Sequence, residues 1–194
     1  MSHYFSEKQE SALQPKEFSY SIHGNTFSFI TGSGVFSKDH VDKGTHVLVK
    51  YMQLPSSGKV LDLGCGYGVV GIVAARIGSC EVVCSDVNER AVMLCKKNVK
   101  KNHVDVQVVK CSLFSKLDKF DCILTNPPYV KGREFIFQLL EESYSHLNSK
   151  GSLQVVARHN KGGKVLRDKM EELFDNVEDV GRGSGFHLYV SRKL

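Results

Sequence analysis

Asn126-Pro127-Pro128-Tyr129 has the residue types needed to handle an exocyclic amine. Two consecutive prolines fix the backbone and remove two N–H donors. The Asn126 side-chain oxygen and the carbonyl of Asn126 or Pro127 are then left as acceptors facing one point. An –NH2 group offers two N–H donors and a lone pair, so two convergent acceptors hold it flat and aim the lone pair outward. Tyr129 adds a ring face on which a base or an amide plane can stack, with Pro128 beside it. Alone, Pro-Pro would mean only a rigid turn ending a strand. The chemistry depends on what the chain places opposite.

A glycine-rich loop is the partner. Val60-Leu61-Asp62-Leu63-Gly64-Cys65-Gly66-Tyr67-Gly68 runs from a strand pattern straight into a helix pattern. Glycines there allow a tight turn and a close approach to the backbone, and the helix N-terminus presents oriented N–H groups. Two ligands compete for it. Gly66-Tyr67-Gly68-Val69-Val70-Gly71 is a literal dinucleotide fingerprint, but it starts after Gly64. It also sets the Asp62 carboxylate at the mouth of the loop, where a pyrophosphate would meet like charge. The ammonium and sulfonium of S-adenosylmethionine suit a carboxylate, so the methyl donor is favoured. Asp86, ending the next strand, can accept from a ribose diol, although such an acid can instead cap the following helix. Val87 and Asn88 follow it and would flank the adenosine. The protein then mainly orients two reactants, with Asn126 and the Pro127 carbonyl stabilising charge on the attacking nitrogen.

These residues need a frame. Alternating runs at 18–22 and 27–29 about His23-Gly24-Asn25 predict an N-terminal β-hairpin. Asp42 reads as the cap of a helix whose apolar face is Val47, Leu48, Tyr51 and Met52. Beyond it, strands are expected at 60–63, 81–87, 104–109, 120–125 and 152–157. Helices are expected at 69–77, from 88 or 89, at 134–147 and at 164–174. A closing hairpin, 177–180 with 186–190, turns about residues 181–185. Strands alternating with helices imply a parallel sheet covered on both faces, with ligands at the carboxyl ends of its strands. The organisation read is one domain, residues 1–194, with a hairpin-and-helix extension at 1–57 and a core at 58–194.

Composition agrees. Apolar residues are 41% and charged residues 24% of 194, which excludes disordered, collagen-like and coiled-coil chains. No apolar run reaches the ~18–20 residues of a membrane span, and the N-terminus lacks a signal-peptide pattern, so no membrane partner is expected. None of the six cysteines forms a C-x-x-C pair, which argues against zinc and for a reduced, cytoplasmic protein with no metal. A net charge of +5 permits contact with nucleic acid, though no dense basic block is present.

Taken in order, the Asp62–Gly68 loop, Asp86 and Asn126–Tyr129 resemble the class I S-adenosylmethionine-dependent methyltransferases. Gly34-Val35-Phe36-Ser37, followed by Asp42-Lys43-Gly44-Thr45, is similar to the methyltransferase small domain family, which includes ribosomal RNA guanine-N2 methyltransferases. The resemblance runs from about Phe27 to the C-terminus. It implies a Rossmann-like α/β fold with a seven-stranded mixed sheet whose last strand is antiparallel. It sets Gly64, Cys65, Gly66 and Gly68 at the methionine moiety, Asp86 and Val87 at the ribose and adenosine, and Asn126–Tyr129 at the target amine. Phe36 and Thr45 would lie near the donor, with Phe36 toward the substrate. Relatives often carry an Asp for the adenine amino group after the third strand; here Ser112, beside Leu113, takes that place and accepts without charge. The partner implied is RNA, most specifically ribosomal RNA methylated at guanine N2. A protein glutamine amide or adenine N6 fits the tetrapeptide equally well, and a non-catalytic donor- or RNA-binding module is the alternative from another class.

Overall fold

The computed structural model describes residues 12–35, 37 and 40–194. The chain opens with an antiparallel hairpin, β1 (Pro15–Ile22) and β2 (Asn25–Gly32). His23 and Gly24 form its two-residue turn with φ of 49° and 70°, the doubly left-handed geometry that matches strand twist. Helix α1 (Lys43–Tyr51) follows. Then come β3 (Lys59–Leu63), α2 (Val69–Ile77), β4 (Glu81–Asp86), α3 (Glu89–Lys101), β5 (Gln107–Lys110), β6 (Phe120–Thr125), α4 (Arg133–Ser145), β7 (Leu147–Arg158), α5 (Lys164–Phe174), β8 (Glu178–Gly183) and β9 (Phe186–Arg192). The main sheet runs β5-β4-β3-β6-β7-β9-β8. Its first five members are parallel neighbours, and β9 is antiparallel to both β7 and β8. This is the mixed seven-stranded sheet that the family resemblance implies, where strand and helix alternation alone gave a parallel one. No helix among the described residues is long and apolar enough to cross a membrane.

The central strands bury side chains on both faces because both faces are covered. Val60, Cys84, Leu124 and Leu188 belong to the core shared with α1, α2 and α3. Their neighbours Leu61, Val83, Ile123 and Tyr189 belong to the core beneath α4 and α5. The alternation is the period of two of an extended chain. Strand order reverses at β3, which has β4 on one side and β6 on the other, and a crevice opens at such a reversal.

Three elements differ from the pattern reading. The third core strand starts at Gln107 rather than at 104, because the Val104 N–H is spent on the Val99 carbonyl at the end of α3. Leu147 is not the last residue of α4: it pairs with Phe120 and begins β7. Gly181 and Gly183 lie inside β8, and the final turn is only Ser184-Gly185. A β-carbon at Gly181 would come within 2.2 Å of Tyr51 Cγ, so that glycine serves the packing of α1 over the sheet.

The hairpin is bound by an imitation strand. Asn98 and Asn102, one turn apart on α3, offer their side-chain amides to the free edge of β2. Asn98 accepts from Ile30 N–H at 2.7 Å and donates to the Ile30 carbonyl at 2.9 Å. Asn102 treats Ser28 the same way at 3.0 and 2.8 Å. The paired edge is thereby closed to other chains. Asn98 also donates to the Tyr67 carbonyl at 2.8 Å, inside the glycine loop. Asn98→Ala strips partners from three backbone groups, the buried Tyr67 carbonyl and the half-buried N–H and carbonyl of Ile30. Urea unfolding should show a loss of about 2–4 kcal/mol, given roughly 1–3 kcal/mol for leaving a buried polar group unpaired; a change within ~0.5 kcal/mol would contradict this account of the docking.

Candidate active site

Leu63 sits in register with Ser85 on one side and Thr125 on the other, so three loops leave the sheet at one level. Two sets of bonds lock that level. Thr125 Oγ1 donates to the Leu63 carbonyl at 2.9 Å, and the N–H groups of Gly64 and Cys65 both donate to the Ser85 carbonyl at 2.9 Å. The cleft above holds about 1200 Å³ of empty space, its open mouth included. Gly64, Cys65, Gly66, Asp86, Val87, Ser112, Leu113, Asn126, Pro127 and Pro128 all line it.

The glycines divide into two kinds. Gly64 and Gly66 have φ of 74° and 56°, and a β-carbon at either meets no protein atom within 4 Å, so the cradle opens toward the cleft. Gly68 does not line the cleft, which corrects its expected place at the methionine moiety. It stands at the start of α2, where a β-carbon would lie 2.6 Å from Cys95 Sγ. Gly71 is likewise a packing residue, with a β-carbon 2.2 Å from Cys84 Sγ. The sulfurs of Cys65, Cys84 and Cys95, far apart in sequence, lie within 4.8 Å of one another here. They act as small buried groups beneath the loop.

Asp62 also needs correcting. It lies under the loop, 2% exposed, rather than at its mouth. Its Oδ2 accepts from the Gly71 N–H at 2.9 Å, tying α2 to β3. Burial pushes its pKa up to about 8, against the pull of that N–H. It still reaches the cleft floor, where a cation above would favour its charged form. Asp86 spends one oxygen on Gly66 N–H and the other on Asn88 N–H, both at 2.8 Å. Burial raises its pKa, and these N–H bonds oppose the rise. Asn88, through Oδ1, caps α3, so the helix-cap role open to Asp86 is filled by its neighbour. Asp86 itself lines the cleft.

Asn126 Nδ2 donates to Asp42 Oδ1 at 3.3 Å and to Thr45 Oγ1 at 3.1 Å. A carboxylate can only accept, so the nitrogen must face α1 and Oδ1 is the uncommitted end. The sequence offers Asp42 a place in the Asp42–Thr45 motif and a helix cap but no contact with Asn126; the cap it also provides, to Gly44 and Thr45 N–H at 2.9 and 3.1 Å. Tyr129 is placed otherwise than expected. Its hydroxyl donates to the Val156 carbonyl at 3.3 Å, burial raises its pKa, and its ring lines a separate hollow with Ile136 and Leu166. It therefore offers no stacking face in the cleft; Pro128 and Phe135 form that wall. Phe135 was missed because it belongs to the first turn of α4, where an apolar residue looks like core. Phe36 lies outside the described residues; Val35 and Ser37 beside it line the cleft.

A sheet reversing at β3, an open glycine backbone and a strand-end acid on one side, and an oriented asparagine on the other together define a class I S-adenosylmethionine-dependent methyltransferase. The model of the methyltransferase small domain matches residues 26–190, and the chain belongs to that family. Relatives include the protein YbxB of Bacillus subtilis (strain 168), 35% identical over 99% of this chain and 98% of its own. Ribosomal RNA small subunit methyltransferase C of Escherichia coli O7:K1 is 32% identical over 88% of this chain and 50% of its own. This chain spans about half the length of such ribosomal RNA methyltransferases, or less: 39% for the Hamiltonella defensa protein, which is 39% identical over 64% of this chain. Among solved structures, the T. thermophilus 16S rRNA N2 G1207 methyltransferase with AdoMet and guanosine superposes with a TM-score of 0.80 and 24% identity, over 95% of this chain and 52% of that one.

Two measurements check the site. Asp86→Ala should weaken S-adenosylhomocysteine binding at least about tenfold by calorimetry, since hydrogen bonds to charged groups contribute roughly 1.5–3 kcal/mol. Asp62 keeps its proton to about pH 8 when folded but loses it near ~3.9 when unfolded. The folded state binds the extra proton between those values, so this contribution to stability is full below pH ~4 and falls as pH rises toward 8. Asp62→Asn should flatten that part of the curve in urea midpoints taken from pH 5 to 8.

Proposed function

We propose that this chain methylates an exocyclic amine in ribosomal RNA, with guanine N2 the leading acceptor. The observation that carries the reading is the Asn126 amide, its nitrogen tied to α1 and its oxygen left for the cleft, on the level of the Gly64–Gly66 cradle. That cradle and the Asp86 carboxylate would hold S-adenosylmethionine, with Ser112 and Leu113 at the adenine end. Once bound, the donor supplies a methyl carbon activated by its sulfonium. Asn126 Oδ1 and the Pro127 carbonyl accept the two N–H bonds of the amine and aim its lone pair at that carbon. Pro128 and Phe135 flank the planar ring that carries the amine. These two acceptors would keep the nitrogen oriented while it takes up the donor's methyl group in place of the departing sulfur, and would leave one of its protons free to pass to solvent. Fixed acceptors strengthen as the nitrogen gains positive charge, which is how orientation lowers the barrier.

Three things support RNA as acceptor. The relatives named as ribosomal RNA small subunit methyltransferases share this domain at 30–39% identity, the similar T. thermophilus structure is named for guanine N2, and a net charge of +5 favours a polyanion. Exocyclic amines are paired inside duplexes, so the target is an unstacked base. An acceptor of this kind is in keeping with a cytoplasmic enzyme.

The test incubates the enzyme with radiolabelled donor and an extract from a strain lacking it, then treats the product with ribonuclease or protease. Label lost to ribonuclease and mapping to N2-methylguanine is expected. Label lost only to protease would replace the reading with a glutamine amide, and label on adenine would change the base. Asn126→Ala should cut turnover by roughly 10²-fold while leaving donor affinity unchanged.

A further inference from the structure

The Asn126 amide is clamped, and the clamp is far away in sequence. Asp42 Oδ1 takes three N–H bonds: Gly44 at 2.9 Å, Thr45 at 3.1 Å and Asn126 Nδ2 at 3.3 Å. Thr45 Oγ1 takes a bond from the same amide nitrogen at 3.1 Å. Two acceptors at the start of α1 thus hold the amide nitrogen. The torsion that carries an asparagine amide is broad and nearly two-fold. A flip therefore costs little in shape but exchanges acceptor for donor. Flipped, Asn126 would turn N–H groups toward an amine's N–H groups, and the two would repel.

The clamp is itself held. Val47, Leu48 and Val49 of α1 are buried at 3% exposure or less. A β-carbon at Gly44 would meet the Phe186 ring at 2.9 Å, so the first turn of α1 rests directly on β9. Asp42 cannot withdraw without uncapping that turn, because the oxygen that caps it is the one that holds Asn126.

We propose that Asp42, with Thr45, is the positioning residue that sets the polarity of the Asn126 amide and so makes the cleft select an –NH2 over a carbonyl at the same place. The acceptor class rests on the function proposed above; the clamp does not. A ring bearing a carbonyl would meet the Asn126 oxygen and be rejected, whereas an amine satisfies it. Asp42 acts through Asn126 and transfers no proton.

The variants separate capping from clamping. Serine caps as well as aspartate but is one atom shorter, so Asp42→Ser keeps α1 and loses Asn126. Thr45→Val removes the second acceptor and leaves the backbone cap intact. Asp42→Asn keeps Oδ1. The first readout needs no acceptor: hydrogen exchange of the Asn126 side-chain amide by NMR, assigned by its absence in Asn126→Ala. Exchange should accelerate at least about tenfold in Asp42→Ser, equivalent to about 1.4 kcal/mol, and should stay slow in Asp42→Asn. Unaltered protection in Asp42→Ser would overturn the proposal even if ribosomal RNA proves not to be the substrate. With an active acceptor, Asp42→Ser and Thr45→Val should each lower kcat about tenfold at unchanged donor affinity, and Asp42→Asn should recover to within about threefold. Adding Asp42→Ser to Asn126→Ala should cost nothing more, as for residues that act through one another. An Asp42→Asn as poor as Asp42→Ser would make Asp42 a proton acceptor instead, and an additive cost in the double variant would show that it acts elsewhere.

Discussion

Leu63 is gripped from both sides, by the ladder to Ser85 in β4 and by the ladder to Thr125 in β6. The Thr125 hydroxyl adds a side-chain bond to its carbonyl. Parallel strands in register must end at the same height, and their loops must then share a single rim. The cradle at Gly64–Gly66, the acid at Asp86 and the turn at Asn126 are consequences of that height. A slip of one residue in β6 would carry Asn126 to the opposite face of the sheet, because side chains alternate along a strand. The hydroxyl of Thr125, fully buried, is a register pin at the point where such a slip would be most damaging.

Below the rim, packing and ligand space are bought from the same residue type. Gly64 and Gly66 leave their missing side chains as open cleft, while Gly68 and Gly71 leave theirs to the sulfurs of Cys95 and Cys84. This explains why a literal dinucleotide fingerprint can sit here without its usual meaning. Its last glycine, Gly71, faces the core and gives its N–H to Asp62 rather than to a phosphate. The loop is rigid because its floor is tightly filled, and a filled floor fixes where the open backbone points.

How much of this is legible in the sequence follows from how local each feature is. The limits of α2, β6 and α5 match the pattern reading because caps, glycines and apolar period all lie within the segment itself. The cradle and Asp86 are legible for the same reason. Side-chain direction is not local. The Tyr129 ring turns toward Ile136 and Leu166, because the carbonyl of Val156 lies within reach of its hydroxyl, and nothing next to Tyr129 encodes that. Asp42 and Asn126 are 84 residues apart, and only the packing of α1 on β9 brings them together. The cysteines fail the local test for a cluster and meet only because β4 and α3 are neighbours of the loop.

The same contacts change the standing of the N-terminal segment. Read from sequence, residues 1–57 are an extension in front of a core at 58–194. In the fold, β2 is fastened to α3 by Asn98, and the same side chain holds the Tyr67 carbonyl inside the glycine loop. Helix α1 supplies Asp42 and Thr45 to the Asn126 amide. One part of the segment thus braces the glycine loop and another holds the Asn126 amide. Both work by hydrogen bonds to groups that the core alone would leave unpaired, and a buried amide without fixed partners has no preferred polarity. The segment in front also lines the cleft, through Val35, Ser37, Asp42 and Thr45, and the direction in which the core's asparagine points is a property of that segment.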